Sequence, residues 1–259
     1  MDLGIKGRKA IVCASSKGLG RACAMSLAEA GVDVVINGRD AASLARTADD
    51  IAKAYGVSIT PVVADVGTPE GRAALLAACP QPDILVNNNS GPPLKDFRAL
   101  SHADLVAGAN ANMFTPIELI QQVIDGMVAR KFGRIVNITS SSVISPMMGL
   151  DLSSGARAGL TAFLAGVARQ VAHANVTINQ IMPGAFGTDR LAAATSAQAK
   201  MRGVTEAEIA ETRRKAIPAG RFGAPEEFGQ LCAYLSSAQA GYITGQSILI
   251  DGGTVPLAF

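Results

Sequence analysis

Seven short apolar runs alternate with longer helical segments along the 259 residues of this chain. The runs are rich in valine and isoleucine and end at polar residues or glycine, which is typical of parallel strands buried on both faces. They cover residues 10–14, 32–37, 59–64, 84–87, 134–139, 176–182 and 247–250. The segments between them have helical periodicity, at residues 20–30, 41–55, 69–78, 115–130, 152–174 and 225–235. Because strand–helix–strand repeats form right-handed crossovers, this order predicts an α/β fold: a doubly wound parallel sheet of about seven strands with helices on both faces.

The composition favours one domain over residues 1–259. An apolar content of 49% is enough for one large core, and no Pro/Gly/Ser-rich linker or charge block divides the chain. The formal net charge of +2 gives no reason to expect nucleic acid or an anionic membrane as a partner. With no apolar run of about 18 residues and no leading signal peptide, we expect a soluble, cytoplasmic protein.

The four cysteines and two histidines indicate neither a disulfide framework nor a metal site. The cysteines are scattered and form no CxxC pair, so we expect reduced, buried thiols. The histidines are too few and too far apart in sequence to form a metal cluster.

A glycine-containing turn at residues 12–20, Val-Cys-Ala-Ser-Ser-Lys-Gly-Leu-Gly, follows the first predicted strand and opens the first helix. Its glycines allow a close approach of the backbone, and the helix N-terminus offers free N–H groups to a pyrophosphate. Glycine patterns also serve ordinary tight turns, but the strand before and the helix after this one favour a dinucleotide site. A P-loop is excluded because no Gly-Lys-Ser/Thr triplet follows. The predicted contacts are Ala14, Ser16, Lys17, Gly18, Leu19 and Gly20.

The end of the second strand determines which dinucleotide we expect. Residues 37–39 read Asn-Gly-Arg, with no acidic residue to hold a ribose 2′-hydroxyl. Arg39 can instead pair with a 2′-phosphate through its planar guanidinium, and Lys17 adds a second cation nearby. The alternative is that both are solvated surface charges. We therefore predict NADP(H) in preference to NAD(H).

From end to end, the chain resembles the short-chain dehydrogenase/reductase family. The turn at residues 12–20 is similar to the family's TGxxxGxG, with cysteine for the threonine and alanine for the first glycine. Residues 87–91, Asn-Asn-Asn-Ser-Gly, resemble its NNAG segment, and residues 220–227 and 242–253 match its closing signature. The resemblance implies a Rossmann-type fold, a small-molecule substrate, and a homotetramer or homodimer in which the last helix and strand pack across an interface.

The resemblance also implies further cofactor contacts at the ends of the third, fourth and sixth strands. These are Asp65 and Val66 at the adenine ring, Asn88 in the NNAG-like segment, and Pro183, Gly184 and Thr188 at the nicotinamide, whose carboxamide Thr188 would bond. For Asn88 a structural role stays open, because asparagine side chains at strand ends also satisfy backbone groups of neighbouring strands. Residues 92–93, both proline, are expected to stiffen the loop beside the nicotinamide.

By the same resemblance, a catalytic site follows the fifth strand, with two residues exchanged. Ser140 matches the family's serine, which bonds the substrate oxygen. Asn112 matches an asparagine that supports a water chain, with Asn110 as the alternative. Ser153 stands where the family has the tyrosine that donates a proton. Arg157 stands where it has the lysine that lowers the tyrosine pKa and holds the ribose.

These two exchanges alter the expected chemistry. A serine hydroxyl is a far weaker acid than a phenol of pKa about 10, and arginine stays protonated and cannot relay a proton. Arg157 can still anchor the ribose, bind a carboxylate or stabilise a developing oxyanion. We predict an NADP(H)-dependent oxidoreductase, similar to 3-oxoacyl reductases, with non-standard proton delivery. Three alternatives stay open: a catalytically impaired NADP-binding sensor or regulator, a non-redox enzyme on the same fold, and plain packing roles for these residues.

Residues 189–217 form a long segment of helical character, typical of a helical substrate lid. Its cations are Arg190, Arg202, Arg213, Arg214 and Lys215. We expect most of them to be solvated and to have the segment's glutamates as partners: Glu206, Glu208 and Glu211. One of the cations, together with Arg157, could hold an acidic substrate. The methionines and leucines of residues 147–152 are interpreted as packing residues that would also suit an apolar substrate.

Overall fold

A computed structural model describes residues 1–91 and 94–256, and its strands form one seven-stranded parallel sheet. The strands are β1 (Lys9–Val12), β2 (Asp33–Gly38), β3 (Ile59–Val63), β4 (Ile84–Asn87), β5 (Gly133–Ile138), β6 (Val176–Pro183) and β7 (Ser247–Ile250). Their order across the sheet is β3-β2-β1-β4-β5-β6-β7. The predicted doubly wound α/β fold is confirmed, with each strand within about two residues of its predicted bounds. The prediction for residues 92–93 lies outside the described residues.

Within the described residues, nine α-helices connect the strands. They are α1 (Gly18–Glu29), α2 (Ala41–Tyr55), α3 (Pro69–Ala78), α4 (His102–Ala109), α5 (Thr115–Ala129), α6 (Asp151–Val171), α7 (Asp189–Arg202), α8 (Glu206–Lys215) and α9 (Pro225–Leu235). The six predicted helices are confirmed, and the predicted helical segment at residues 189–217 folds as α7 and α8. No helix of the described residues combines the length and the apolar character needed to cross a membrane.

Helix α4 is absent from the sequence-based prediction. It is short, and two of its apolar side chains, Leu105 and Val106, are exposed, so no amphipathic pattern marks it. What starts it is a capping box, in which the side chains of Ser101 and Asp104 satisfy each other's backbone N–H groups. The Ser-x-x-Asp pattern in the sequence is a signal that could have indicated this helix.

The core consists of two apolar clusters, one on each face of the sheet. Along β1, Ala10 and Val12 point into the cluster that contains residues of α1, α2 and α9. Ile11 and Cys13 point into the other cluster, with residues of α3, α5 and α6. This alternation is the period of two that a strand imposes, and it is why both faces of β1 are apolar. All four cysteines are buried free thiols, as predicted.

The direction of winding reverses at β1. This strand pairs with β2 on one side and with β4 on the other, so the chain crosses the sheet between β3 and β4. The loops that follow β1 and β4 therefore diverge to opposite faces and leave a crevice at the carboxyl edge of the sheet, where ligands bind in such folds. The predicted cofactor residues follow β1, β2, β3, β4 and β6, and Ser140 follows β5, so these residues lie at the carboxyl edge of the sheet.

Arg134 on β5 is the largest fully buried side chain among the described residues. Its Nε donates to the Ser237 carbonyl oxygen (2.9 Å), and its Nη2 donates to Asn175 Oδ1 (3.0 Å). Its Nη1 donates to the carbonyl oxygens of Gly133 (2.9 Å) and Asn175 (2.8 Å). Burial, together with the nearby charge of Arg8, lowers the pKa of Arg134 to about 10, so the guanidinium stays charged at neutral pH. It ties β5 to the turn before β6 and to the segment after α9.

Replacing Arg134 with methionine should lower the free energy of unfolding by about 2–4 kcal/mol, because several buried carbonyl oxygens lose their donor. In a domain of this size, that corresponds to a fall in Tm of about 5–15 °C. Arg98→Met is the matched control, since Arg98 is exposed and, within the described residues, contacts the exposed Asp96 and Phe97; it should change stability by less than about 0.5 kcal/mol. Equal Tm values for the two variants in thermal denaturation would contradict the role given to Arg134.

Candidate active site

The turn between β1 and α1 has the shape that a dinucleotide phosphate requires. Gly18 has a φ of +60°, a conformation that favours glycine. A Cβ at Gly20 would lie 2.4 Å from the Ala14 carbonyl oxygen. Lys17 is the N-cap residue of α1 and makes no side-chain cap, so the N–H groups of the first turn stay open to a ligand. Close backbone approach and free donors are what a pyrophosphate needs, so these residues fit the predicted group.

Ala14 is strained in this turn, with a φ of +46° in the left-handed region, where a Cβ costs about 1–2 kcal/mol. Ala14→Gly should therefore raise the free energy of unfolding by about 0.5–1 kcal/mol, since the relief of strain exceeds the added entropy of the unfolded chain. Ala30→Gly is the control, because Ala30 has an ordinary φ of −78°; it should destabilise by about 0.5–1 kcal/mol. Urea denaturation would measure both, and a loss of stability in Ala14→Gly would contradict the strain.

Two asparagines at strand ends hold the turn in place. Asn37 Nδ2 donates to the Ala64 carbonyl oxygen (2.9 Å), and its Oδ1 accepts from the Ala14 N–H (3.3 Å). Asn88 Nδ2 donates to the Ala14 carbonyl oxygen (3.1 Å), which is the structural role left open for it above. Asn37 is a positioning residue that the sequence-based prediction missed. The signal for it was a polar side chain at the end of an apolar run.

Several cationic side chains lie near the carboxyl end of β2. Arg39 is 67% exposed, and its Nη1 lies 3.7 Å from Asp65 Oδ2, an ion pair that solvent screens and a stronger anion can replace. Lys17 is exposed as well. An open groove of about 420 Å³ between α1 and α2 brings Ser16 and Lys17 together with Arg46. Arg46 is a further cation on this side that the sequence-based prediction did not select.

Ser140 lies two residues after the end of β5 and caps a short 3₁₀ turn, Ser141–Val143. Its Oγ accepts a hydrogen bond from the Ser142 N–H (3.1 Å) and lies 2.9 Å from Ser142 Oγ. Because a hydroxyl both accepts and donates, Ser140 can direct its own hydrogen toward a substrate oxygen.

Ser153 and Arg157 lie one turn apart on α6, and both are buried. Arg157 Nε donates to Ser153 Oγ (3.1 Å), and Arg157 Nη1 donates to the Ile138 carbonyl oxygen at the end of β5. Burial, with the nearby charge of Arg190 as the smaller cause, lowers the pKa of Arg157 to about 10. The guanidinium therefore stays charged at neutral pH, and both of its acceptors within the described residues are neutral oxygens.

Asn112 lies in a single π-helical turn, Asn110–Phe114, between α4 and α5. Its side chain is buried, and within the described residues neither its Nδ2 nor its Oδ1 has a hydrogen-bond partner. It borders a cavity of about 20 Å³, enough for one water molecule, which Arg157 and Val66 also line. Such turns recur at functional sites. Asn110, the alternative, is exposed, so the geometry favours Asn112.

The three tyrosines of the chain lie elsewhere. Tyr55 ends α2 and Tyr234 lies on α9, and these helices pack on the face of the sheet opposite to α6. Tyr242 is fully exposed in the segment before β7. The cavity beside Arg157 is lined by no tyrosine of the described residues. The phenol that is missing from position 153 is therefore not supplied from another part of the chain.

The loop after β6 brings α7 close to the phosphate turn. Pro183 ends β6, and the Gly184 N–H donates to the Ile250 carbonyl oxygen of β7 (2.9 Å). Thr188 is the N-cap residue of α7, and a Cβ at Gly18 would lie 3.8 Å from its Cγ2. The predicted nicotinamide wall and the predicted phosphate turn are therefore neighbours in the fold.

Most of the cations of the predicted lid, the segment α7–α8, have partners within that segment. Arg213 donates to Gln198, and Arg214 and Lys215 pair with Glu211. Glu208 was expected to pair with a cation, but it caps α8 through Thr205, because a carboxylate near a helix N-terminus satisfies free N–H groups. Arg190 differs from the engaged cations: it lies in the first turn of α7, against the loop that follows β4.

Comparison with known proteins places this site in a family. A family model described as enoyl-(acyl carrier protein) reductase matches residues 13–255. The 3-oxoacyl-[acyl-carrier-protein] reductase FabG of Aquifex aeolicus is 32% identical over 257 residues, 98% of this chain and 99% of that protein. The NADPH-dependent reductase BacG of Bacillus subtilis is 30% identical and covers 96% of this chain and 98% of its own length.

A solved structure has the same fold throughout. L-Sorbose reductase from Gluconobacter frateurii, complexed with NADPH and L-sorbose, matches with a TM-score of 0.93 at 27% identity, over 99% of this chain and 100% of that one. The glycine turn, the crevice at the reversal of winding and the serine after β5 lie inside the matched region. The chain belongs to the short-chain dehydrogenase/reductase family.

Proposed function

We propose that this protein is an NADP(H)-dependent oxidoreductase that interconverts a carbonyl and a hydroxyl group, in the manner of a 3-oxoacyl reductase. The observation that carries the proposal is the arrangement after β5, where Ser140 has a hydrogen to donate and the buried, charged Arg157 contacts Ser153. This arrangement borders the same crevice as the phosphate turn, where a hydride donor would be held. The names of the FabG and BacG relatives, both reductases, support the assignment.

NADP(H) is the preferred cofactor in this proposal. Arg39 and Lys17 are exposed cations near the position where the 2′-phosphate lies in related folds. The BacG relative is described as NADPH-dependent, and the sorbose reductase structure contains NADPH. Fluorescence titration should show tighter binding of NADPH than of NADH. Arg39→Ala should weaken NADPH binding by about tenfold or more and leave NADH binding nearly unchanged, whereas tighter binding of NADH by the parent protein would contradict the preference.

When bound, the nicotinamide supplies a hydride to the carbonyl carbon. Ser140 donates a hydrogen bond to the carbonyl oxygen, and the charge of Arg157 stabilises the negative charge that develops there. Ser153 accepts from Arg157 Nε, so its own hydroxyl hydrogen is also free to donate. The alkoxide that hydride transfer would form is itself a strong base and would take its proton from water, and bulk solvent would neutralise the hydroxide that is released. The cavity beside Asn112 has room for one such water, which the Asn112 amide, unpartnered within the described residues, would orient.

Steady-state oxidation of NADPH with a panel of 3-oxoacyl thioesters, ketones and aldehydes tests the proposal. We expect turnover of at least one class, and a loss of about 10²-fold or more in Ser140→Ala. The double variant Ser153→Tyr/Arg157→Lys restores the family's residues. If it lowers an existing activity, Ser153 and Arg157 take part in the chemistry. If it creates activity that the parent lacks, the parent is a catalytically impaired NADP-binding protein, and its role is that of a sensor or regulator.

We also propose that α7–α8 is the substrate lid and that the chain forms a homotetramer or homodimer. The edge strand β7, with its half-exposed residues 248–250, supports an assembly, as does the fully exposed Tyr242 just before it. Apolar groups on a sheet edge are usually covered by a partner. Light scattering after size-exclusion chromatography should give a dimer or tetramer that Tyr242→Asp weakens, and a monomeric parent would contradict this part.

A further inference from the structure

The guanidinium of Arg190, an exposed side chain, lies beside Gly91 in the loop that follows β4. A Cβ at Gly91 would lie 2.7 Å from Arg190 Nη2 and 3.0 Å from Nη1. The absence of a side chain at this position therefore makes room for the guanidinium. Thr188, two residues before Arg190, lies near Gly18 of the phosphate turn. The Arg190 side chain thus extends over the crevice from the lid side.

The donors of Arg190 have no acceptor within the described part of the chain. Within the described residues, no carboxylate lies within ion-pair distance of Arg190, and none of its nitrogens makes a hydrogen bond. In the same lid, Arg213 bonds Gln198 and Arg214 pairs with Glu211. Arg190 is exposed, and an exposed planar fork of donors that lacks an acceptor within the described residues can bind an incoming oxyanion.

Arg190 lies near enough to Arg157 for its charge to act there. The positive charge of Arg190 contributes to the lowered pKa of Arg157, although burial is the larger cause. Two neighbouring cations repel each other, and an anion bound near both relieves that repulsion. Arg157 would stabilise the carbonyl oxygen, which becomes negative during reduction. Arg190 would then bind a second negative group on the same substrate.

We propose that Arg190 anchors a carboxylate of the substrate, so that the protein is a reductase of oxo acids, an inference that rests on the carbonyl reduction proposed above. The cofactor's phosphates are provided for by the first turn of α1 and by Arg39 and Lys17. The body of the acid would lie along an exposed apolar rim formed by Leu94, Met147 and Met148. Leu94 approaches the methionine loop, since its Cδ2 would lie 3.8 Å from a Cβ at Gly149.

The test compares acids with their esters, using the full chain with NADPH. Medium-chain 2-oxo, 3-oxo and 4-oxo acids are each paired with their methyl ester, and kcat/KM is measured for both. The parent should prefer at least one acid over its ester. Arg190→Gln should lower kcat/KM for that acid by about 10- to 100-fold and for the ester by less than about threefold. Arg202→Gln is the matched control, since Arg202 is exposed like Arg190 but lies at the other end of α7; it should leave both values unchanged.

Two results would overturn the anchor. An equal loss for acid and ester in Arg190→Gln would mean that Arg190 acts on the fold or on the reaction in general. A raised KM for NADPH with an unchanged KM for the acid would mean that Arg190 binds the cofactor. Either result leaves the proposed carbonyl reduction intact, because the parent still turns over.

A binding experiment tests carboxylate binding by Arg190 independently of the proposed carbonyl reduction. Calorimetric titration of the NADP⁺ complex with octanoate and with octanamide requires no turnover. If no carbonyl compound is reduced but octanoate binds more tightly than octanamide, and Arg190→Gln removes the difference, the anchor stands and the proposed reaction fails. If carbonyl compounds are reduced and octanoate binds no better than octanamide, the reaction stands and the anchor is wrong.

Discussion

Replacing Arg157 with methionine should reduce NADPH-dependent carbonyl reduction by about 10²–10³-fold, the loss that follows when a transition state loses a preorganised charge at the developing oxyanion. The fold should tolerate the change, because a methionine of similar length fills the space. The Ile138 carbonyl oxygen and Ser153 Oγ lose their donor, which should cost about 1–2 kcal/mol, less than the loss of the several bonds of Arg134. The expected signature is therefore a low kcat with only a small fall in Tm. Steady-state kinetics and thermal denaturation measure the two effects separately.

The variant Arg157→Lys and the pH dependence of the rate test this prediction further. Arg157→Lys keeps a cation and should retain most of the activity, which a purely structural role for the guanidinium does not predict. Burial lowers the pKa of Arg157 from its ordinary value to about 10. The charge is therefore fully present at neutral pH and is lost as the pH rises through about 10. The rate of the parent should fall over that interval, and a parent-like rate in Arg157→Met would show that the charge is dispensable.

Gly20→Ala should weaken NADPH binding by about 10²-fold or more, because the added Cβ would lie 2.4 Å from the Ala14 carbonyl oxygen and 3.0 Å from Asn88 Nδ2. The first of these contacts is with backbone, so the turn between β1 and α1 must shift. That shift moves the N–H groups of the first turn of α1 away from the pyrophosphate. It should also cost about 1–3 kcal/mol of stability, as overpacking does elsewhere.

Gly166→Ala on α6 is the matched control for this glycine. A Cβ at Gly166 would meet nothing within 4 Å, so alanine there should stabilise the helix by up to about 1 kcal/mol and leave NADPH binding unchanged. Fluorescence titration gives the dissociation constants, and thermal denaturation gives the stabilities. If Gly20→Ala binds NADPH as tightly as Gly166→Ala does, the turn is not the phosphate site.

The prediction of strands and helices from the sequence worked because local patterns are strong in this fold. Strands buried on both faces read as continuous Val/Ile runs, and the helices between them are long enough to show their period. Helix α4 was not predicted because its sequence has no amphipathic pattern: two of its apolar side chains, Leu105 and Val106, are exposed. Small differences remained at strand ends, where the last residue is decided by the register with the adjacent strand.

The candidate site was only partly predictable. Ser140, Ser153 and Arg157 follow from position along the chain, because the end of β5 and the first turns of α6 are near each other in any such fold. The unpartnered state of Asn112 could not be foreseen. It results from a π-helical turn that the packing of α4, α5 and α6 imposes. The positioning role of Asn37 likewise depends on the turn that β1 and α1 place beside it.

Some features of this protein follow from its residue order, and others are set only by its tertiary structure. Residue order alone yields the parallel sheet, its helices, the glycine turn and the missing tyrosine, because each depends on neighbours close in sequence. Only the packed chain shows that Arg157 turns inward to Ser153 and Ile138, and that Arg190 lies against Gly91. Long side chains have many rotamers of similar energy, and distant parts of the chain select among them. The direction in which a guanidinium points, and therefore the anion that it can hold, is a property of the tertiary structure.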